Sequence, residues 1–174
     1  MITPLIPSAA TAWLTNAPLD IRALRNEVAD PAAGAILVFE GTVRDHSPGH
    51  TAVIALEYEA QASMAQRVLE AALEYALEVF PICKAAVRHR LGRVELGEAT
   101  IAIAVSAAHR NEAYQASRYI IDRIKHDAPI WKREICQDGT TGWSLGCRAH
   151  TSGAPAGPEV KKPKTESGRM GTGF

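Results

Sequence analysis

Five cationic side chains stand where the chain passes from one element to the next: Arg44, His109, Arg110, Lys125 and Lys132. Arg44 lies in Gly41-Thr-Val-Arg-Asp-His46, where an apolar run enters a loop. A strand end holds a guanidinium in place, and its fork of N–H groups matches a phosphate or a carboxylate. The plainer alternative is a surface arginine paired with Asp45. His109 and Arg110 fall in Ser106-Ala-Ala-His-Arg-Asn-Glu112, where a strand pattern gives way to a helix pattern. Free backbone N–H groups and a positive dipole end meet there, so two added cations would make an anion site. An Asn111 cap followed by solvated charge is the alternative. Lys125 and Lys132 flank His126-Asp-Ala-Pro-Ile-Trp131. Cations favour helix C-termini, which alone explains Lys125, and Lys132 reads equally as an exposed edge lysine. A lysine in a partly desolvated, cationic pocket becomes able to carry protons or attack an electrophile. Spacing alone does not choose between these readings.

The other polar residues read more plainly. Glu57 and Glu59 share one face of a strand and are expected to face water. His89, inside an apolar alternation, is expected to be a core histidine with its hydrogen bonds satisfied. There is no P-loop, G-x-G-x-x-G, G-x-S-x-G or H-E-x-x-H, and the six histidines are scattered, so no resident cofactor or metal is expected. The cysteines Cys83, Cys136 and Cys147 are odd in number and form no C-x-x-C, which points to free thiols in a reducing compartment.

These residues must be positioned by alternating strands and helices. Asp20 to Ala29 reads as a helix capped by Asp20 and stopped at Asp30-Pro31. Gly34 to Gly41 is a buried strand, and Asp45 to His50 a loop rich in turn formers. Ile54, Leu56 and Tyr58 alternate as a half-buried strand. Met64, Val68, Leu69, Ala72, Leu73, Ala76, Leu77 and Phe80 form one helical stripe, with Ser63 and Gln66 as a capping box and Pro81 as the stop. Val87, His89 and Leu91 alternate toward Gly92. Glu95 to Glu98 is a turn and Ala99 to Ala107 a strong strand. Asn111 opens a second amphipathic helix through Ala113, Ala116, Ile120, Ile121 and Ile124 that ends before Pro129. Ile130 to Ile135 is a strand, and Asp138-Gly139 a turn. The order, with hairpin-length gaps, gives an α+β domain with a mainly antiparallel sheet packed by amphipathic helices.

At 174 residues the chain suits one domain, set at 1–150. Of the 24 residues from Thr151 to Phe174, 13 are Gly, Pro, Ser or Thr, so 151–174 buries too little apolar area to order itself and reads as a flexible tail. The 19 basic and 19 acidic side chains cancel, which argues against a nucleic-acid or anionic-membrane binder and makes any anion site local. No apolar run reaches the ~20 residues of a membrane span, and no basic residue precedes the apolar N-terminus as in a secretory signal. A cytoplasmic protein is expected.

Taken together, Gly34-Ala-Ile-Leu-Val-Phe-Glu-Gly-Thr-Val-Arg-Asp-His46, Leu56-Glu-Tyr-Glu-Ala60, Ala108-His-Arg-Asn-Glu-Ala113 and Lys125-His-Asp-Ala-Pro-Ile-Trp-Lys-Arg-Glu134 resemble the large, catalytic subunit of molybdopterin synthase. Asp138-Gly139 and Trp143 extend the likeness, which runs in order from about Leu14 to Trp143. Ala60-Gln61 departs from the family's usual Ala-Tyr. The resemblance implies an α+β fold and a sulfurtransferase. The family adds two sulfurs to cyclic pyranopterin monophosphate, forming the molybdopterin dithiolene. The sulfur arrives as a thiocarboxylate on the C-terminus of a small ubiquitin-like subunit, in a heterotetramer with two large subunits at its centre. By the same resemblance Lys125 is the principal catalytic residue and Lys132 its acid–base or electrostatic partner. Arg44, His109 and Arg110 join both lysines in binding substrate. The alternative is a non-enzymatic module of the same fold that binds an anionic metabolite or a partner's tail.

Overall fold

The computed structural model describes residues 9–47 and 50–144. The segment 151–174 and Cys147 lie outside the described residues. Two four-stranded sheets and three helices make up the fold, in line with the α+β expectation. The expected single sheet is in fact divided in two.

The first sheet is built around β8 (Ala99–Ala107), flanked by β6 (Ile82–Arg90) and β2 (Ala35–Thr42), both antiparallel to it. β8 is buried on both faces, as its apolar run foretold, and side-chain size alternates along it. Ile101, Ile103 and Val105 pack against α2 (Ala62–Val79) and α3 (Arg110–Asp127), whose Leu69, Leu73, Ile120 and Ile124 complete the main core. Ala102 and Ala104 face the other way, where α1 (Ile21–Glu27) packs closely with Leu24 and Val28. Small residues under the short helix and branched ones under the long pair let both layers close.

The outer strand of this sheet, β1 (Ala10–Thr15), was not foreseen. It pairs in parallel with β6, Ala10 opposite Ala85 through Thr15 opposite Arg90. Its six residues carry no clear alternation, and a parallel pair is specified by a strand far along the chain.

The second sheet runs β10 (Thr141–Ser144), β9 (Ile130–Cys136), β5 (Val53–Ala60), β7 (Gly92–Glu95), all antiparallel. Val43, Val53, Leu56, Val94 and Cys136 form its own small core. The loop expected at 45–50 contains a short hairpin, β3 (His46–Ser47) with β4 (His50–Thr51). The turn at Asp138-Gly139 stands as expected, with Gly139 at φ 81° and Asp138 accepting from the Thr140 N–H at 2.9 Å.

Helix ends differ in detail. Asp20 caps α1 as expected, accepting from the Ala23 N–H at 2.8 Å. The Ser63–Gln66 box does not form: Gln61 caps α2 by accepting from the Met64 N–H at 2.7 Å, and Gln66 instead donates to the Ala12 carbonyl. Capping from Gln61 leaves Met64 exposed, and Ala65 takes the buried position that begins the stripe. In α3 helical geometry starts at Arg110, with His109 at the cap position and no side-chain cap bond, so Asn111 is not the cap. No helix among the described residues is long and apolar enough to cross a membrane.

Leu73 is fully buried between α2 and β8. Leu73→Ala is expected to lower unfolding free energy by about 2–5 kcal/mol, read as a lower urea midpoint at unchanged slope.

Candidate active site

α3 stops where it does because Pro129 has no N–H to continue it and pushes Ala128 out of helical geometry, to ψ 126°. The chain turns, with the Ile130 N–H donating to the Ala128 carbonyl at 2.8 Å, and enters β9. Strand alternation then sends Ile130, Lys132 and Glu134 to one face and Trp131 and Arg133 to the other. The inward face closes one side of a cleft of about 310 Å³ at the junction of the two sheets. Lys125, in the last turn of α3, and Arg44, just past β2, line the same cleft. Three of the five expected cations therefore converge.

Their partners differ. Arg44 does not pair with Asp45: its Nε donates to the His46 carbonyl at 2.9 Å, and Asp45 instead binds His46 Nδ1 at 2.6 Å. That bond to His46 holds the exposed Asp45 carboxyl below the usual carboxylate range. The terminal N–H groups of Arg44 have no protein partner among the described residues and remain available for a ligand. Lys125 is exposed and makes no ion pair among the described residues. Lys132 is mostly covered, with its Nζ 3.6 Å from Glu134 Oε1.

Glu134 was missed as a site residue. It is 2% exposed, and its second oxygen accepts from the Ser47 hydroxyl of the β3–β4 hairpin. The carboxylate thus ties the hairpin to β9 and sets Lys132 beside it. The signal was present in the sequence, because positions 132 and 134 of one strand share a face. Gly41 leaves the far wall open: a Cβ there would come within 2.9 Å of Ile101 Cγ2.

His89 is buried, as expected, but only half of its hydrogen bonding is satisfied: Nδ1 lies 2.9 Å from the Arg90 carbonyl, and Nε2 has no partner among the described residues. Its ring also lines the cleft, beside the edge of Tyr58 at 5.2 Å between centroids. Desolvation lowers its pKa to about 4, against a weaker opposing effect of the Arg90 carbonyl. Glu57, expected to face water, pairs instead with Arg133 on the sheet's outer face, where that guanidinium sits 5.6 Å from the Trp143 ring centre. Among the described residues no group of three His, Cys, Asp or Glu is placed to hold a metal ion.

His109 and Arg110 do not line this cleft. They sit exposed at the start of α3, fifteen residues before Lys125, or roughly 22 Å along a helix axis. What the cleft can do is plain from its lining: it offers several N–H donors and two lysines to an anion, against one carboxylate.

The sequence profile described as "MoaE protein" matches residues 14–127, spanning Arg44, His109, Arg110 and Lys125. The chain belongs to the MoaE family. The molybdopterin synthase catalytic subunit of Thermoplasma volcanium is 48% identical over 126 residues, which are 72% of this chain and 89% of that protein. The crystal structure of molybdopterin synthase from Staphylococcus aureus matches with a TM-score of 0.70 at 34% identity, covering 75% of this chain and 94% of its own. A complex of subunits 1 and 2 of molybdopterin-converting factor from Helicobacter pylori shares the fold, with a TM-score of 0.63 at 22% identity, covering 82% and 94%. As a MoaE protein the chain is an enzyme subunit of molybdenum cofactor biosynthesis.

The buried His89 gives this MoaE fold a pH dependence of known sign. Its pKa falls from 6.5 to about 4 on folding, so between those values the unfolded chain binds the extra proton. Stability is complete above the higher value and is lost as pH falls toward the lower one. Denaturation at about pH 7.5 and about pH 5 is expected to differ by about 2 kcal/mol from this residue, and His89→Asn is expected to remove that difference.

Proposed function

We propose that this chain transfers sulfur from the thiocarboxylated C-terminus of a small ubiquitin-like subunit to cyclic pyranopterin monophosphate. Two such transfers build the dithiolene of molybdopterin. The observation that carries the reading is the convergence of Arg44, Lys125 and Lys132 on one cleft. Substrate phosphate and donor thiocarboxylate are both anions, and preorganised cations hold such charge at no reorganisation cost during reaction. Arg44, with terminal N–H groups directed to no protein partner, binds phosphate.

Lys125 is the principal catalytic residue. Exposed at the cleft mouth, it meets the incoming thiocarboxylate and moves protons as sulfur replaces oxygen. Lys132, braced by Glu134, is its acid–base or electrostatic partner as the cyclic phosphate opens. By the family resemblance His109 and Arg110 also bind substrate, from the end of α3 remote from this cleft, and two copies of the chain form the centre of the heterotetramer. The Helicobacter pylori complex of two converting-factor subunits supports a small-subunit partner. We assign the reaction to the cytoplasm, in keeping with the free Cys83 and Cys136.

The test mixes the chain with thiocarboxylated small subunit and cyclic pyranopterin monophosphate, reading molybdopterin as its fluorescent oxidation product. Lys125→Ala is expected to lose about 100-fold or more. Lys125→Arg is expected to lose as much, because a guanidinium does not exchange protons near neutral pH. Full activity in Lys125→Ala would move the catalytic role elsewhere. A wild-type chain that binds the small subunit and yields no product would instead make it a binding module.

A further inference from the structure

Every charged donor around the cleft points to an anion, yet the cleft wall also carries a group of the opposite kind. The His89 ring is 6% exposed and lines the cleft. Its Nδ1 lies 2.9 Å from the Arg90 carbonyl, an acceptor only, so Nδ1 carries the hydrogen and donates it. That fixes the tautomer and leaves a lone pair on Nε2. No described residue donates to Nε2, and the atom is not sealed from the cleft. The position is rigid as well, because β6 pairs on both sides here, Leu14 opposite His89 in β1 and Ile101 opposite it in β8. Tyr58 meets the ring edge-on and holds its plane.

We propose that His89 is a specificity-determining residue whose Nε2 accepts a hydrogen bond from a ring N–H or amino group of the substrate heterocycle, while Arg44, Lys125 and Lys132 take its phosphate. The inference rests on the sulfur-transfer reading for the substrate's identity. A pterin edge is a row of N–H donors, and lysine and arginine offer nothing that can accept from them. The Glu134 carboxylate is engaged by Ser47 and Lys132, so a neutral imidazole beside those cations supplies an acceptor that is still open, and the burial that lowers its basicity keeps it neutral near pH 7. A substrate lacking the N–H leaves this acceptor buried and unpaired, the arrangement that gives sites their sharpest discrimination.

Two amide replacements separate this role from a structural one. Asparagine reproduces the Nδ1 position and keeps the donor to Arg90, whereas glutamine reaches the Nε2 position and keeps an acceptor there. Binding of cyclic pyranopterin monophosphate to the full chain, without sulfur donor, is measured for both, with inorganic phosphate as a second probe. His89→Asn is expected to weaken pterin binding about 10-fold or more while phosphate binding stays unchanged. His89→Gln is expected to stay within about 3-fold of wild type for both probes, even where its melting temperature drops. Unchanged pterin binding in His89→Asn, an equal loss in both variants, or a loss in His89→Gln alone overturns the assignment. So does a wild-type chain that fails to bind the pterin. A wild-type chain that binds it and forms no molybdopterin with the thiocarboxylated small subunit defeats the sulfur-transfer reading and leaves the His89 contact standing.

Discussion

A carboxylate that is 2% exposed must be surrounded by donors, and at Glu134 that need organises the cleft. One oxygen takes the Ser47 hydroxyl and the other faces the Lys132 ammonium at 3.6 Å. Neither donor comes for free. Ser47 reaches Glu134 only when the β3–β4 hairpin folds over the second sheet, and Lys132 only when strand alternation aims it inward. Removing one partner of such a buried pair typically costs about 3–5 kcal/mol, because the other is left uncompensated. The pair is therefore a constraint on position as much as a source of stability, and it keeps a lysine in the cleft that both sheets line.

The rest of the cleft follows from chain reversal at Pro129. Lys125 ends a helix that packs on the first sheet, and Lys132 lies in a strand of the second. Seven residues and one proline bring both lysines to the same cavity, although neither sheet alone contains it. Arg44 arrives from just past the end of β2 and is tied through His46 to the hairpin that Glu134 holds. A site assembled from the ends of three elements is rigid at each point and open between them, which suits the proposed reaction, in which a small substrate and another protein's tail enter one cleft.

The sequence was most legible where local pattern and tertiary role agree. β8 reads as a continuous apolar run and is buried on both faces; the stripe of α3 names Ala113, Ala116, Ile120, Ile121 and Ile124, all buried. The positions of Arg44, Lys125 and Lys132 at element ends were readable too, and their meeting in one cleft was implied only by resemblance. What stayed hidden depended on distant partners. β1 has meaning only beside β6, about seventy-five residues later in the chain. The division into two sheets depends on register and on the small core around Val94. Gln61 outcompetes Ser63 as a cap because its backbone also donates to the Pro129 carbonyl, a contact no local pattern encodes. His89 and Glu134 look like ordinary buried and surface residues until the second sheet is placed over them.

The cleft depends most directly on the Lys132–Glu134 contact. It is tested by a double-mutant cycle of Lys132→Met and Glu134→Gln, with unfolding free energy measured by urea for wild type, both single variants and the pair. The predicted result is a coupling of about 1–3 kcal/mol, each single substitution costing more than its share because it strands the other partner. Additive effects, with coupling within about 0.3 kcal/mol of zero, would mean that Glu134 does not hold Lys132, and the cleft would need another explanation.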